Sequence, residues 1–408
     1  MRSVPVTLMI HRRMHLVRLF VVASACALVA CARDIPPDAR WPDRGMPILG
    51  TGPLGYVTND GDDTVSVIEL GTLREIARRP VGLDPVSPEA PHHLAIDPVS
   101  GSLWVGLANN TLAAGGGIHG SHGAGMLPSY VQRLNLHDLV PDAFVHVDPN
   151  LGDIVRGASD HVITTHFDLA TALDVHTRGA PVEEGYGALY VIDGVDMQPL
   201  ARIAVCTAPH GAAITRDGSM ALIACYGDDG VAFVDLTVTP PSVVARVPVG
   251  PMPGNVSAPR FGPYSVAFSP DESFAFVGVL DGQAVRRIDM RTHTEVTDHA
   301  VTLDGKAFFG AFDVAGAHYW VATQARDSVT RIDVAMAAVD LRHGFAPADC
   351  LSPHEAVYVA SLHRVFVVCE GDHTRPGAIV ALDPDTLAMI DRIEVGVYPD
   401  VMRVVEAR

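Results

Sequence analysis

The sequence predicts an all-β fold, a seven-bladed β-propeller, on three observations. From residue 53 onward, short β-rich runs recur with turn signals between them, and no long helical periodicity interrupts them. A related tripeptide, most often ending Pro-His, opens one strand in each of seven segments. The chain begins with three strands that lack a fourth and ends where only one strand can still form. Its 408 residues, 48% of them hydrophobic, suffice for a sizeable core. The 37 glycines and 30 prolines imply many turns and argue against a helical bundle.

Residues 1–30 read as an export signal outside the folded domain. Arg12, Arg13 and Arg18 form a basic flank, and the apolar run from Leu19 to Ala30 is too short to span a bilayer as a stable helix. Met14 is an alternative start. The run ends Leu28-Val29-Ala30-Cys31, which resembles a bacterial lipobox. That resemblance implies cleavage before Cys31 and acylation of it, which anchors the protein in a membrane. Ala32 in place of Asp favours the outer membrane, on its periplasmic side or at the cell surface. Residues 31–52 are Pro-rich and aperiodic, as expected of a tether. Residues 53–408 are left for the propeller.

One unit shows the repeat. Pro209 to Ile214 reads as a strand, Arg216-Asp217-Gly218 as a turn, and Met220 to Cys225, Val231 to Leu236 and Val243 to Val249 as three more strands. Four antiparallel strands in about 45–50 residues make one blade. The inner strands are expected to open at Ala90-Pro91-His92, Ser159-Asp160-His161, Ala208-Pro209-His210, Gly262-Pro263-Tyr264, Lys306-Ala307-Phe308, Ser352-Pro353-His354 and Tyr398-Pro399-Asp400. A shifted alignment of the second would replace His161 with His166. The strand Val401 to Val405 would join Gly55 to Thr58, Thr64 to Leu70 and Glu75 to Val81 in the first blade. That closure removes open sheet edges.

The motif Tyr56-Val57-Thr58-Asn59, followed by Asp63 to Leu70 and Pro80-Val81-Gly82, resembles the YVTN-type seven-bladed propellers. Ser269-Pro270-Asp271 is similar to that family's strand-to-strand turn. The resemblance implies the fold. Its relatives include lactonase-like proteins, surface-layer proteins and propellers beside redox cofactors, so function has to come from the site.

Four cysteines remain beyond Cys26 and Cys31. Cys206 with Cys225 and Cys350 with Cys369 repeat one spacing, and each first Cys stands four residues before a histidine. Two disulfides are expected in an oxidising compartment. A Cys-His-Cys metal set used twice is the rival.

The histidines carry the functional expectation. His92, His210 and His354, with His161 in the second blade, occupy equivalent positions and should converge on one channel mouth. Tyr264 and Asp400 join that ring, and Phe308 is its apolar member. Imidazole, phenolate and carboxylate bind Cu, Zn or Fe. On the same face lie a Gly-rich insertion with His119 and His122, and loops carrying Glu183, Glu184, Glu370, Asp372 and His373. The Asn59 to Asp63 turn and the pair Asp228-Asp229 add further negative charge. An acidic, cation-attracting face follows.

The formal net charge of −18, with Lys306 the single lysine, excludes phosphate neutralisation and hence nucleic-acid partners. No Gly-x-Ser-x-Gly, Walker-type loop or His-Glu-x-x-His is present. The expectation is a monomeric, membrane-anchored binding module with a His-rich metal or cofactor site, open to a protein or small-molecule ligand on its top face. The alternative is a copper- or haem-associated redox enzyme or a lactonase-like hydrolase. The copper alternative rests on a resemblance to nitrous-oxide-reductase-like propellers, which hold copper on histidines at inner-strand starts.

Overall fold

The computed structural model describes residues 47–406, apart from residues 85, 87, 110–124, 126, 158 and 159. The expected signal, Cys31, His119 and His122 lie outside the described residues.

The described chain is nearly all β, and its sheets are built as the repeat predicts. Pro209–Ile214, Met220–Cys225, Gly230–Asp235 and Ser242–Pro248 pair antiparallel in that order. The same order recurs in the sheets that start at Pro91–Asp97, Leu151–Arg156 and Pro263–Phe268. The sheets starting at Lys306–Phe312 and Pro353–Val359 are linked by a parallel bridge, Phe309 opposite Glu355. At the chain's end, Pro399–Val405 pairs with Leu54–Asn59, which continues into Thr64–Glu69 and Arg74–Pro80.

Side-chain patterning explains how the sheets stack. Second strands are covered on both faces and read as unbroken apolar runs, such as Phe274–Val279, every residue of which is buried. Fourth strands alternate, as in Ser242–Pro248, because one face meets solvent. The first strands lie side by side in succession, and Pro399–Val405 packs beside both Pro353–Val359 and Pro91–Asp97.

The entry to these first strands is irregular in one recurring way. Ala90, Asn150, Ala208, Gly262, Ser352 and Tyr398 all have φ between 49° and 61°. This left-handed conformation turns the chain sharply just before the strand. Immediately afterwards the pairing register slips, between Pro91 and Leu94, Pro209 and Ala212, Pro263 and Ser265, and Pro353 and Glu355. Such bulges free side chains from the alternation of the strand and re-aim them. His92, His210, Tyr264 and His354 sit in these bulges.

Two sequence expectations need correction. His161 does not open a first strand; it begins the second strand His161–His166, at the far end from the Pro-His motifs. The first strand of that sheet is Leu151–Arg156, and Leu151 pairs with His166 as Pro209 pairs with Cys225. Its entry carries Asn150-Leu151-Gly152, with neither proline nor histidine, so it shares no residue with the Pro-His motif. The second correction is a helix, Leu169–Arg178, within the loop after His161–His166. Asp168 caps it by accepting from the Thr171 amide, and Gly179 at φ 65° ends it. Only Ala172 and Val175 are buried, too short a stripe for the periodicity to show.

The first strands approach one another closely at glycine. A Cβ on Gly211 would lie 2.4 Å from the Tyr264 carbonyl oxygen and 2.7 Å from the Ser265 Cα. Backbone cannot yield as a side chain can, so Gly211→Ala is expected to destabilise by about 1–3 kcal/mol or more. Urea denaturation of the variant checks this; an unchanged midpoint would contradict the packing.

Candidate functional site

The bulged residues of four different first strands meet in the interior. Hydroxyls from second strands help fix them: Thr58 Oγ1 donates to the His92 carbonyl at 2.7 Å, and Thr165 Oγ1 donates to the His210 carbonyl. The rings of His92 and His93 lie 4.4 Å apart, and His210 is 5.8 and 5.7 Å from them. One ring nitrogen from each of the three lies within 4.8 Å of the others. Three nitrogens gathered this closely need only small ring movements to share one metal ion with bonds of about 2.0–2.1 Å.

Carboxylates surround this trio. Asp400 Oδ2 is 3.0 Å from His92 Nδ1 and 3.3 Å from His93 Nε2. Asp60 Oδ2 is 3.6 Å from His92 Nδ1. Asp153 Oδ1 is 2.6 Å from His93 Nδ1, and Asp153 is itself held by the Ile154 and Ala212 amides at 2.8 and 2.9 Å. A carboxylate fixed by backbone amides that grips one ring nitrogen presents the other nitrogen in a set direction. That arrangement is typical of metal-ligating histidines.

The electrostatics of the centre are set by buried acids. Asp60, Asp153, Glu355, Glu370 and Asp400 are all buried, and Arg403 places a guanidinium beside them, paired with Glu355 at 2.6 Å. Burial pushes Asp60, Glu355 and Glu370 upward, and Asp153 to about 6. Burial, then the neighbouring His92 and Arg403, drive His93 well below the usual imidazole range, which keeps it in the neutral, ligating form. For His92, burial opposes the charged form but the Asp400 and Asp60 carboxylates raise the pKa overall, to about 10, so this ring has to give up a proton before it can ligate a cation. Burial, then Asp400, holds Tyr264 as a phenol. A bound cation would offset this surplus of buried acid, which is otherwise costly.

The predicted residues divide clearly. His92, His210, His354, Tyr264 and Asp400 converge, with Tyr264 stacked on His210 at 3.7 Å and Phe308 5.1 Å from His354. His161 is outside the cluster, and so is His166, which packs on Tyr190 at 5.1 Å. The cluster is also no open mouth: His92, His93, His210, His354 and Asp400 are each at most 1% exposed. Of the acidic loops, Glu183, Glu184 and Asp372 are exposed, whereas Asp60, Asp229 and Glu370 are buried. Asp63 accepts from the Glu89 and Ala90 amides, and Asp229 accepts from four amides between Gly254 and Gly262. These carboxylates shape the left-handed entries at Ala90 and Gly262, so they do not form an acidic outer face.

His93 and Asp153 were missed from sequence. The doublet His92-His93 was the available signal, but regular strand alternation would send its members to opposite faces. The bulge brings both inward. Cys206–Cys225 and Cys350–Cys369 are disulfides with S–S distances of 2.05 and 1.95 Å, which removes the Cys-His-Cys metal reading. Two surface clefts, of about 350 Å³ beside Val175 and Thr207 and about 420 Å³ beside Cys350 and Arg375, have none of His92, His93, His210 and His354 in their lining.

No protein-family model matches the chain, and no curated protein is found as a relative. Solved structures are similar in fold. The periplasmic gluconolactonase PpgL of Pseudomonas aeruginosa has a TM-score of 0.63 at 14% identity, covering 87% of this chain and 100% of its own. The dihydro-haem d1 dehydrogenase NirN, in complex with DHE, has a TM-score of 0.54 at 15% identity, covering 86% and 74%. AztD of Citrobacter koseri, in apo form, has a TM-score of 0.54 at 11% identity, covering 88% and 99%. These likenesses show a β-propeller fold.

Proposed function

We propose that this chain is an exported, Cys31-anchored lipoprotein whose propeller has seven blades and serves as a binding module for a divalent transition-metal ion. The pairing of Pro399–Val405 with Leu54–Asn59 and the unbroken succession of first strands support seven blades closed by one C-terminal and three N-terminal strands. The lipobox-like run and two disulfides support export to an oxidising compartment. One observation carries the metal reading: His93, oriented by Asp153, shares a coordination-sized space with His92 and His210. Imidazole donors suit Zn, Cu or Fe.

Burial favours an ion over a larger substrate. A sugar-lactone hydrolase, the activity named for the Pseudomonas neighbour, needs an open cleft at its reacting groups, whereas these groups are enclosed. The same holds for a haem-sized cofactor.

The test is metal affinity of the purified full chain. Chelator-stripped protein is expected to bind Zn²⁺ or Co²⁺ stoichiometrically. Asp153→Asn should weaken binding about 10–100-fold, the usual effect of losing a group that orients a metal ligand. His92→Ala combined with His210→Ala should remove binding at this centre. Wild-type protein that takes up no metal would refute the proposal.

A further inference from the structure

We infer that the protein holds a second divalent cation between His354, Glu370 and Asp400, with the Asp400 carboxylate bridging it to the ion on His92, His93 and His210. This inference rests on the metal-binding reading above and extends it to the opposite side of Asp400.

The two oxygens of Asp400 face different partners. Oδ2 is directed at His92 and His93, at 3.0 and 3.3 Å, while Oδ1 lies 3.3 Å from His354 Nδ1. That contact is to the Nδ1 edge of His354, so the place of Asp400 in the second donor set rests on the gathering of one ligand atom each from His354, Glu370 and Asp400 within 4.8 Å. A carboxylate shared between two donor sets is the arrangement used between paired ions, which sit about 3.5–4 Å apart.

His354 is oriented as a ligand. Its Nδ1 donates to the Asp400 carbonyl oxygen at 2.8 Å, so the lone pair is on Nε2, which faces Glu370 Oε1 at 4.0 Å. Two donors each about 2.0–2.2 Å from a shared ion span that distance. One ligand atom from each of His354, Glu370 and Asp400 lies within 4.8 Å of the others, and all three residues are buried. Glu370 is positioned in turn by Gln324 Nε2 on Oε1 and His373 Nε2 on Oε2, each at 2.8 Å. Phe308 and Phe309, 5.1 and 5.4 Å from the His354 ring, wall the site with apolar surface.

The outer end of this set reaches solvent. The His373 side chain is 21% exposed and its ring lies parallel to Tyr398 at 3.6 Å. His373, Glu370, His354 and Asp400 therefore form a continuous line of donors from the surface to the inner histidines, a path along which an arriving ion keeps ligands as it sheds water.

Elemental analysis of the stripped full chain, reloaded with Zn²⁺ and desalted, tests this. Wild type is expected to hold two equivalents, Glu370→Gln one, and His354→Gln one. Loading with Co²⁺ should show magnetic coupling between ions in wild type that is lost in Glu370→Gln. One equivalent in wild type, or two in both variants, overturns the second site and leaves the inner one standing. No metal in wild type overturns both readings, and this outcome needs no variant to fold.

Discussion

Deleting residues 399–408 is expected to leave the chain without a cooperatively folded state. Pro399–Val405 is the partner of Leu54–Asn59, so its loss exposes a complete strand edge. It also empties two cores. Val401 packs with Tyr56, Val65 and Leu94, and Met402 packs with Val57, Ile68 and Phe366; both are fully buried. Each such side chain contributes about 1.5–3 kcal/mol. The deletion further strips Glu355 of the Arg403 guanidinium and the Met402 amide, each 2.6 Å away. Leaving a buried carboxylate uncompensated costs about 3–5 kcal/mol. The losses together rival the whole stability of a typical domain, about 5–15 kcal/mol. Thermal unfolding followed by circular dichroism checks this. A truncated chain that melts cooperatively near the wild-type temperature would show that the two ends of the chain are not needed for closure.

Removing the disulfides is expected to have the next largest effect. Each bridge spans 19 residues, for which the chain-entropy relation gives about 3 kcal/mol. Cys206 lies in the last strand of one sheet and Cys225 ends the second strand of the next, so that bridge also staples neighbouring sheets. The two bridges belong to separate cores, and their contributions should add. Cys206→Ala with Cys225→Ala, and Cys350→Ala with Cys369→Ala, should each lose about 3 kcal/mol in urea unfolding, and the quadruple variant about twice that. Losses below about 1 kcal/mol per pair would mean that the sheets are aligned by packing alone.

Much of the architecture was legible because it is periodic. Apolar runs such as Met220 to Cys225, separated by turns such as Arg216-Asp217-Gly218, need only local chemistry to be read as strands. The Pro-His motif marked five of the residues that meet in the centre, His92, His210, His354 and, by position, Tyr264 and Asp400. The second blade broke the pattern. Its first strand opens on Leu151-Gly152-Asp153, where Gly152 has no side chain to signal the position. A Cβ there would lie 2.8 Å from Thr165 Oγ1, the hydroxyl that holds the His210 carbonyl, so the glycine makes room for that side chain. The helix Leu169–Arg178 was hidden for a different reason: a solvated helix buries too little to imprint a period.

The sequence by itself determined the strand repeat, the equal spacing of the two cysteine pairs and the Pro-His entries at His92, His210 and His354, because each depends on residue type and spacing along the chain. Tertiary structure alone decided that His93 joins His92, that Asp153 orients it, and that Asp60 and Glu370 turn inward. Those outcomes depend on bulges and left-handed entries that rotate side chains out of strand alternation, and on contacts between sheets some 32 to 340 residues apart in sequence, as in His354 with Asp400 and Asp60 beside His92 and Asp400. No local pattern encodes a distance that exists only once the first strands stand side by side.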